Sequence, residues 1–353
     1  MTPRKETQSN ASDNEAVVAG TKRKASEASQ ADHAQDEEPD TKKSKTEDTK
    51  TTVDWLLSDE AFSLAFPSLP QGHGEIDWDE GQHRKDPPPE NAGKKTNTSK
   101  ASKDKGNDDS HDDNYDKTPR LTYPDSTLTP FQNLVAALLL SKPISHRLGL
   151  RTINTLLNPP FGLRTPQDLD EAGFEGRRKV MWEARTQHKE KTAVQLGDLV
   201  EGVRKICGGD GGDGDDDEKE DGEEKTKEEG DEGDVEKMTA LREMVKGMEV
   251  EEAQKKVEKE LTDGIKGVGP TGAGIFLRRV QQEWEEVFPY TDKRALEAAV
   301  EFGVINEGDG AKELADAAAG DRGKFVRMLD VLVGIQLEKK MEEALKMARG
   351  ESN

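Results

Sequence analysis

The stretch from Ile265 to Gly274, IKGVGPTGAG, spaces three glycines as a phosphate-binding loop would. Gly267, Gly269 and Gly272 form a G-x-G-x-x-G pattern, and Asp292 follows 20 residues after the last of them, as a dinucleotide-binding fingerprint requires. That fingerprint also needs a buried strand directly before its first glycine. Residues 250–265 are instead charged and have helical spacing, and no Lys-Ser or Lys-Thr pair follows for a P-loop. The pattern therefore does not predict a nucleotide cofactor.

The same stretch fits two helices joined by a tight hairpin. One helix would close at Leu261 and the next would open at Pro270, a residue that suits the first helical position. We expect Gly267 and Gly269 to adopt backbone conformations that are closed to residues with a Cβ atom. The first N–H groups of the second helix would then point outward and could hold a phosphate. A phosphate of the DNA backbone would be bound independently of base sequence.

Several motifs in this order resemble a known family. IKGVGPTGAG is similar to the helix-hairpin-helix motif LPGVG-x-x-TA, and FPYTDKRALEAAVEFG (Phe288 to Gly303) to the proline-rich turn and aspartate that follow it. Upstream, TPFQNLVAALLLSKP and EKTAVQLGDLVEGV resemble two further helices. Over Leu121 to Gln336 the chain resembles a divergent member of the helix-hairpin-helix–GPD superfamily of base-excision DNA glycosylases, which includes endonuclease III-like and alkyladenine glycosylase-like proteins.

The resemblance implies an all-α glycosylase-like fold and a role for Asp292 beside a flipped-out base. A carboxylate there would stabilise the positive sugar as the glycosidic bond breaks, or activate the attacking water. Asp292 also suits the N-cap of the helix that follows, and both roles can hold together. Trp182 and Tyr290 would stack on the base. No organic cofactor or metal site is implied, although hairpin carbonyls could hold a monovalent cation, as they do in some relatives.

Double-stranded DNA is the partner that the resemblance implies. The candidate DNA contacts lie in the hairpin and along the helix after it: Lys266, Gly267, Val268, Gly269, Thr271, Gly272, Arg278 and Arg279. For the three charged residues the alternative is an ordinary solvated side chain.

The chain departs from the family at positions that matter for chemistry. Thr271 stands where bifunctional members carry the lysine that forms a Schiff base, so no lyase activity by that route is expected. Pro143 stands where a glutamine usually fills the space left by the flipped base. Two hypotheses remain open: a monofunctional DNA glycosylase, and a non-catalytic DNA-binding or scaffold protein whose acidic segments dock basic partners. A helical interaction protein that binds no DNA is a third.

The elements that position these residues are predicted to be helices throughout. Thr129 followed by Pro130 marks a clear helix start, Asp292 and Asp321 begin later helices, and no segment alternates like a strand. We expect an all-α fold of eight or nine helices, among them single long helices over 236–261, 270–288 and 321–348.

Composition predicts that only part of the chain folds. The 353 residues carry a net charge of −22 and are 31% hydrophobic, too few for a packed chain of this length. We expect a disordered tail over 1–119, an acidic disordered insertion over 207–235, and a helical domain formed by 120–206 with 236–348. The tail carries 26 Asp and Glu against 17 Lys and Arg, and the insertion 15 against 3, so the helical domain is near neutral.

The tail suggests cellular context. The basic clusters at 22–24 and 42–45 predict nuclear import. The segment Val53–Phe66 places large apolar residues among acids, which is typical of a segment that folds on a protein partner; a chance apolar patch is the alternative. A single cysteine and a polar start favour an intracellular protein, and no apolar run approaches the ~20 residues of a membrane span.

Overall fold

The computed structural model describes residues 50–68, 119–208 and 232–351, and every regular element within these ranges is helical. This confirms the all-α class. In chain order the helices are α1 (50–56), α2 (Asp59–Ala65), α3 (Pro130–Leu140), α4 (His146–Leu157), α5 (Pro166–Glu171), α6 (Gly173–Glu183), α7 (Lys189–Gly208), α8 (Glu232–Lys237), α9 (Thr239–Glu243), α10 (Val250–Gly264), α11 (Pro270–Val280), a 3₁₀ turn (Glu285–Val287), α12 (Lys293–Phe302), α13 (Ala311–Ala317), α14 (Arg322–Leu337) and α15 (Met341–Ala348).

The first of two hydrophobic cores is built around α3. Thr129 caps this helix reciprocally with Gln132, and Pro130 holds its first position, as the sequence predicted. The helix then runs through the middle of the core, with α11 packed along it. Trp284 is fully buried, and its ring lies at a steep angle to that of Phe276 at 5.6 Å between centroids. This core fixes the helix that begins at the hairpin.

The second core surrounds α14 and includes part of the predicted tail. Leu56 and Ala65 are fully buried against it, and Trp55 stacks on Phe302 at 5.7 Å between ring centroids. Gly334 allows α2 to come this close, since a Cβ at that position would lie 2.8 Å from the Ala65 Cβ. The expectation that the tail is disordered as far as residue 119 is therefore wrong for residues 50–66. Val53–Phe66 folds on its own chain, because its apolar face matches α14.

Helix ends differ from the sequence prediction where left-handed residues interrupt a periodic pattern. The single helix expected over 236–261 is three helices, broken at Met238 (φ 52°) and Gly247 (φ 77°). The helix expected over 321–348 breaks at Lys339 (φ 59°). The described residues thus hold more and shorter helices than the eight or nine expected. Apolar spacing can continue across a short break, so periodicity alone does not mark it.

The acidic insertion is bounded more tightly than predicted. Helix α7 continues to Gly208, α8 begins at Glu232, and Arg204 of α7 donates to Glu232 Oε1 at 2.8 Å across the gap. Val235 is buried in the first core. Residues 209–231, both predicted import signals and most of the tail lie outside the described residues. None of the helices in the described ranges combines the length and apolar character that crossing a bilayer requires.

Candidate functional site

Two helices meet at a short hairpin where the glycine pattern lies. Helix α10 ends at Gly264, residues 265–269 form the turn, and α11 begins at Pro270. The turn is closed by the Val268 N–H, which donates to the Ile265 carbonyl at 3.1 Å. Ile265 and Val268 are both buried and anchor the turn to the first core. The predicted succession of helix, hairpin and helix is confirmed.

The two central glycines of the hairpin have different roles. Gly267 has a φ of +96°, a conformation that strains any residue with a Cβ, and a Cβ there would lie 2.3 Å from Nε2 of the flexible Gln195 side chain and displace it, so the position favours glycine. Gly269 is the N-cap of α11 with φ −113° and ψ −177°, an extended conformation open to any residue, and a Cβ there would meet nothing within 4 Å. The expectation that Gly269 is conformationally constrained is therefore wrong.

Lys266 lies in the hairpin, and Lys142 lies beside it. Lys266 is 84% exposed, with its Nζ 4.0 Å from Asp198 Oδ2. Lys142, just past α3, donates to the Oε1 of Gln195, the residue that packs on Gly267. Partial burial, and then the nearby charge of Lys191, lower the pKa of Lys142 to about 8. The sequence prediction missed Lys142, because only the packing of α3 and α7 brings it to Gln195 beside the hairpin.

Three of the predicted DNA contacts lie inside the protein. The guanidinium of Arg278 pairs with Asp292, and that of Arg279 pairs with Asp330 and donates to the Pro124 carbonyl at 2.9 Å. Both arginine side chains are at least 93% buried. The Val268 side chain packs in the first core and its N–H is used within the turn. These three residues are therefore not surface contacts for DNA. Thr271 is exposed at the start of α11, and Gly272 is buried behind it.

A cavity of about 540 Å³ lies between the two cores, beside the start of α11. It brings together four residues that the sequence predicted to be functional: Thr271, Arg278, Tyr290 and Asp292. Phe66, from the segment before α3, forms part of the wall. The cavity thus joins the hairpin to the predicted catalytic aspartate.

Asp292 has a structural role as well as a place in the cavity. Its Oδ1 accepts from the Ala295 N–H at 2.9 Å and caps α12, and its Oδ2 accepts from Arg278. Arg278 is also hydrogen-bonded to the Tyr123 hydroxyl. Burial, with Asp330 nearby, raises the pKa of Tyr123, so this hydroxyl stays neutral. The carboxylate at the cavity wall is therefore held in place from two sides.

Of the two aromatic residues predicted to receive a base, only Tyr290 lines the cavity. Gln281 fixes the Tyr290 backbone, accepting from its N–H at 2.7 Å and donating to its carbonyl at 3.0 Å. Burial, and then the Asp292 charge, raise the pKa of the Tyr290 hydroxyl to about 12. Trp182 lies on α6 instead, with Lys189 Nζ 4.5 Å from its ring centroid. Trp182 is not among the residues that line this cavity, and its role in receiving a base stays a prediction.

The structure adds a histidine to which the sequence assigned no role. His146, the first residue of α4, lines the cavity, and its Nδ1 lies 3.0 Å from Glu338 Oε1. Arg147 Nε donates to the other oxygen of Glu338 at 2.7 Å, and the ring edge of Phe66 covers the imidazole. Burial lowers the pKa of His146, although Glu338 opposes the shift. No sequence spacing reveals this pair, whose members are 192 residues apart.

No three His, Cys, Asp or Glu side chains come together to hold a metal ion anywhere in 50–68, 119–208 or 232–351. The monovalent cation at the hairpin carbonyls stays a prediction. Comparison with known proteins gives no match to a family model, to a curated protein or to a solved structure.

Proposed function

We propose that this chain is a DNA-binding protein of the base-excision type, which holds the backbone of a duplex at the hairpin and receives an extruded base in the cavity beside Asp292. The observation that carries the proposal is that Thr271 at the start of α11 and Asp292 at the start of α12 line the same cavity. A backbone phosphate held at the first of these helix starts would deliver its nucleotide to the second.

The surface around the hairpin supports binding to a polyanion. Lys266 lies in the turn that ends in a helix N-terminus, Lys142 bonds to the Gln195 side chain that packs on this turn, and the charge of Lys191 is near Lys142. Contacts of this kind are made to phosphates, so they position the duplex without reading its sequence. Selectivity would then come from the cavity.

The cavity supports acceptance of a base. Pockets for small organic groups have volumes of about 300–1,000 Å³, and the volume here falls within that range at about 540 Å³. The rings of Tyr290 and Phe66 offer surfaces for stacking, and Ser145 and Thr271 offer hydroxyl groups. A DNA-binding scaffold that had lost its pocket would be expected to fill this space with side chains.

The chemistry that fits these residues is hydrolysis of the N-glycosidic bond by a monofunctional glycosylase. Asp292 would place negative charge beside the sugar as positive charge develops on it. Thr271 cannot form an imine with the sugar, so the lyase route of the bifunctional members is not expected, and water is the attacking group that we propose. Nuclear localisation accords with this function and rests on the basic clusters at 22–24 and 42–45.

One observation favours a second candidate function, a non-catalytic DNA-binding protein. Both oxygens of Asp292 are engaged, one by the Ala295 N–H and one by the buried guanidinium of Arg278. The guanidinium offsets the charge that the reaction would use. In this case the cavity would bind an extruded base without excising it, and the acidic segments would dock basic partners.

Excision from a panel of duplexes, each with one damaged base, separates the two candidates. Alkali cleaves the abasic sites that a glycosylase leaves, and single-turnover conditions isolate the chemical step. We expect Asp292→Asn, which keeps an oxygen for the Ala295 N–H, to slow excision by about two orders of magnitude or more while duplex binding persists.

Because Asp292→Asn leaves Arg278 buried without its partner, a matched variant is needed. The double variant Asp292→Asn with Arg278→Gln removes both charges, and it should be as inactive as the single variant. Full excision in either folded variant would remove Asp292 from the mechanism. Duplex binding and base extrusion with no excision by the wild type would establish the non-catalytic function.

A further inference from the structure

We propose that His146, oriented by Glu338, is the general base of the cavity and activates the water that attacks the sugar. This inference rests on the proposed function and adds a catalytic residue to it. It starts from three facts. His146 lines the same cavity as Asp292, and its side chain is 6% exposed. Its Nδ1 is paired with the carboxylate of Glu338, which is paired in turn with Arg147.

The hydrogen bonds fix the tautomer. Glu338 accepts from Arg147 Nε on Oε2 at 2.7 Å, so it is an ionised acceptor, and its Oε1 lies 3.0 Å from His146 Nδ1. The imidazole therefore carries its proton on Nδ1 and a lone pair on Nε2. A histidine oriented through one nitrogen by a carboxylate is the arrangement in which the other nitrogen acts as a base.

The surroundings keep this imidazole neutral. Charged and titratable groups face the imidazole from every neighbouring element. The nearest are Glu338 after α14, Arg147 on α4 and Arg278 on α11. Across the cavity lie Asp292, Lys293, Arg294, Glu297 and Asp330. Phe66 contributes only an apolar ring edge. Burial, with Arg278 and Arg147, outweighs Glu338 and lowers the pKa of His146. The basic form is therefore the one present at neutral pH.

Asp292 is less suited to the same task. Its two oxygens already accept from Ala295 N–H and Arg278, so the carboxylate is positioned to stabilise charge rather than to take a proton. The division of roles is then electrostatic stabilisation by Asp292 and proton transfer by His146. Glu338 is a positioning residue, since it acts through the imidazole.

The step is balanced as follows. His146 Nε2 takes a proton from water, and the water oxygen forms a bond to the anomeric carbon of the nucleotide. The bond from that carbon to the base nitrogen breaks, and its electron pair leaves with the base. The base then takes up one proton, for which the imidazolium is the donor in the cavity, and His146 returns to its neutral form.

The test is the pH dependence of single-turnover excision in the full chain. His146→Asn retains a donor in the position of Nδ1 for Glu338 and lacks the basic nitrogen. We expect it to slow excision at neutral pH by about 10²- to 10⁴-fold, the usual contribution of general base catalysis. The wild-type rate should fall at acidic pH as the imidazole becomes protonated, and this limb should be absent from His146→Asn. His188→Asn, at an exposed histidine outside the cavity, is the matched control and should behave as the wild type.

Glu338→Gln provides a second readout that does not require loss of the imidazole. Removing the carboxylate charge removes the influence that raises the pKa of His146, so the acidic limb should move to lower pH. A limb that does not move in Glu338→Gln, or a folded His146→Asn with the wild-type rate, overturns the role of His146 and leaves the proposed function standing. A wild type that excises no base from any duplex overturns the glycosylase function and this role with it.

Discussion

The sharpest prediction concerns Gly267, where the backbone conformation favours glycine and an added Cβ would displace the Gln195 side chain. At a φ of +96°, the backbone of a residue with a Cβ is strained by about 1–2 kcal/mol. The added Cβ of Gly267→Ala would also lie 2.3 Å from Gln195 Nε2, and moving Gln195 removes the acceptor of Lys142. A hydrogen bond to a charged group contributes about 1.5–3 kcal/mol when buried, and this lysine is only half buried.

We therefore expect Gly267→Ala to lower the free energy of unfolding by about 2–4 kcal/mol. For a folded region of this size, the thermal midpoint should fall by roughly 4–16 °C. If the hairpin changes conformation to relieve this strain, its affinity for undamaged duplex should fall at least about tenfold. A tenfold loss of affinity corresponds to about 1.4 kcal/mol of binding free energy. Thermal unfolding followed by circular dichroism and fluorescence anisotropy with a labelled duplex measure the two effects.

Gly269→Ser is the matched control, two residues away in the same turn. Gly269 is extended, has open space where a Cβ would be, and is an N-cap, a position that serine favours. Its free energy of unfolding should stay within about 0.5 kcal/mol of the wild type. Equal losses in the two variants would refute the assignment of different roles to these glycines. Unchanged duplex affinity in a folded Gly267→Ala would show that the hairpin does not hold DNA.

The remaining predictions address charge and packing elsewhere. Phosphate binding favours the charged form of Lys142, whose pKa is lowered to about 8, so duplex affinity measured at constant ionic strength should fall as pH rises from 7 to 9. Lys142→Met should flatten that dependence, and an unchanged slope would exclude this lysine from the interface. Asp330→Asn leaves the Arg279 guanidinium buried without its partner, so the free energy of unfolding measured in urea should fall by about 3–5 kcal/mol. A fall of less than about 1 kcal/mol would contradict the pairing. Leu56→Ala should cost about 2–5 kcal/mol if residues 50–66 belong to the folded domain, and no measurable cost would mean that this segment does not stabilise the domain.

The sequence predicted some residues of the candidate site correctly and misplaced others. Asp292 and Tyr290 were identified because a resemblance in short motifs carries the order and spacing of the hairpin and the turn after it. Arg278 was identified as functional, but it was placed on the surface. A helical pattern shows which residues share a face but not whether another element covers that face. Here Tyr123 and the start of α12 cover it.

The sequence by itself determined the helical class, the start of α3 at Thr129 and Pro130, the capping role of Asp292 and the hairpin at Gly267. Each of these depends on interactions within a few residues, and so local chemistry specifies it. Only the tertiary structure decided that Val53–Phe66 docks on α14, that Arg279 is buried with Asp330, and that His146 meets Glu338 in a cavity. Those features depend on which apolar faces pack together, and packing joins residues with no relation in sequence.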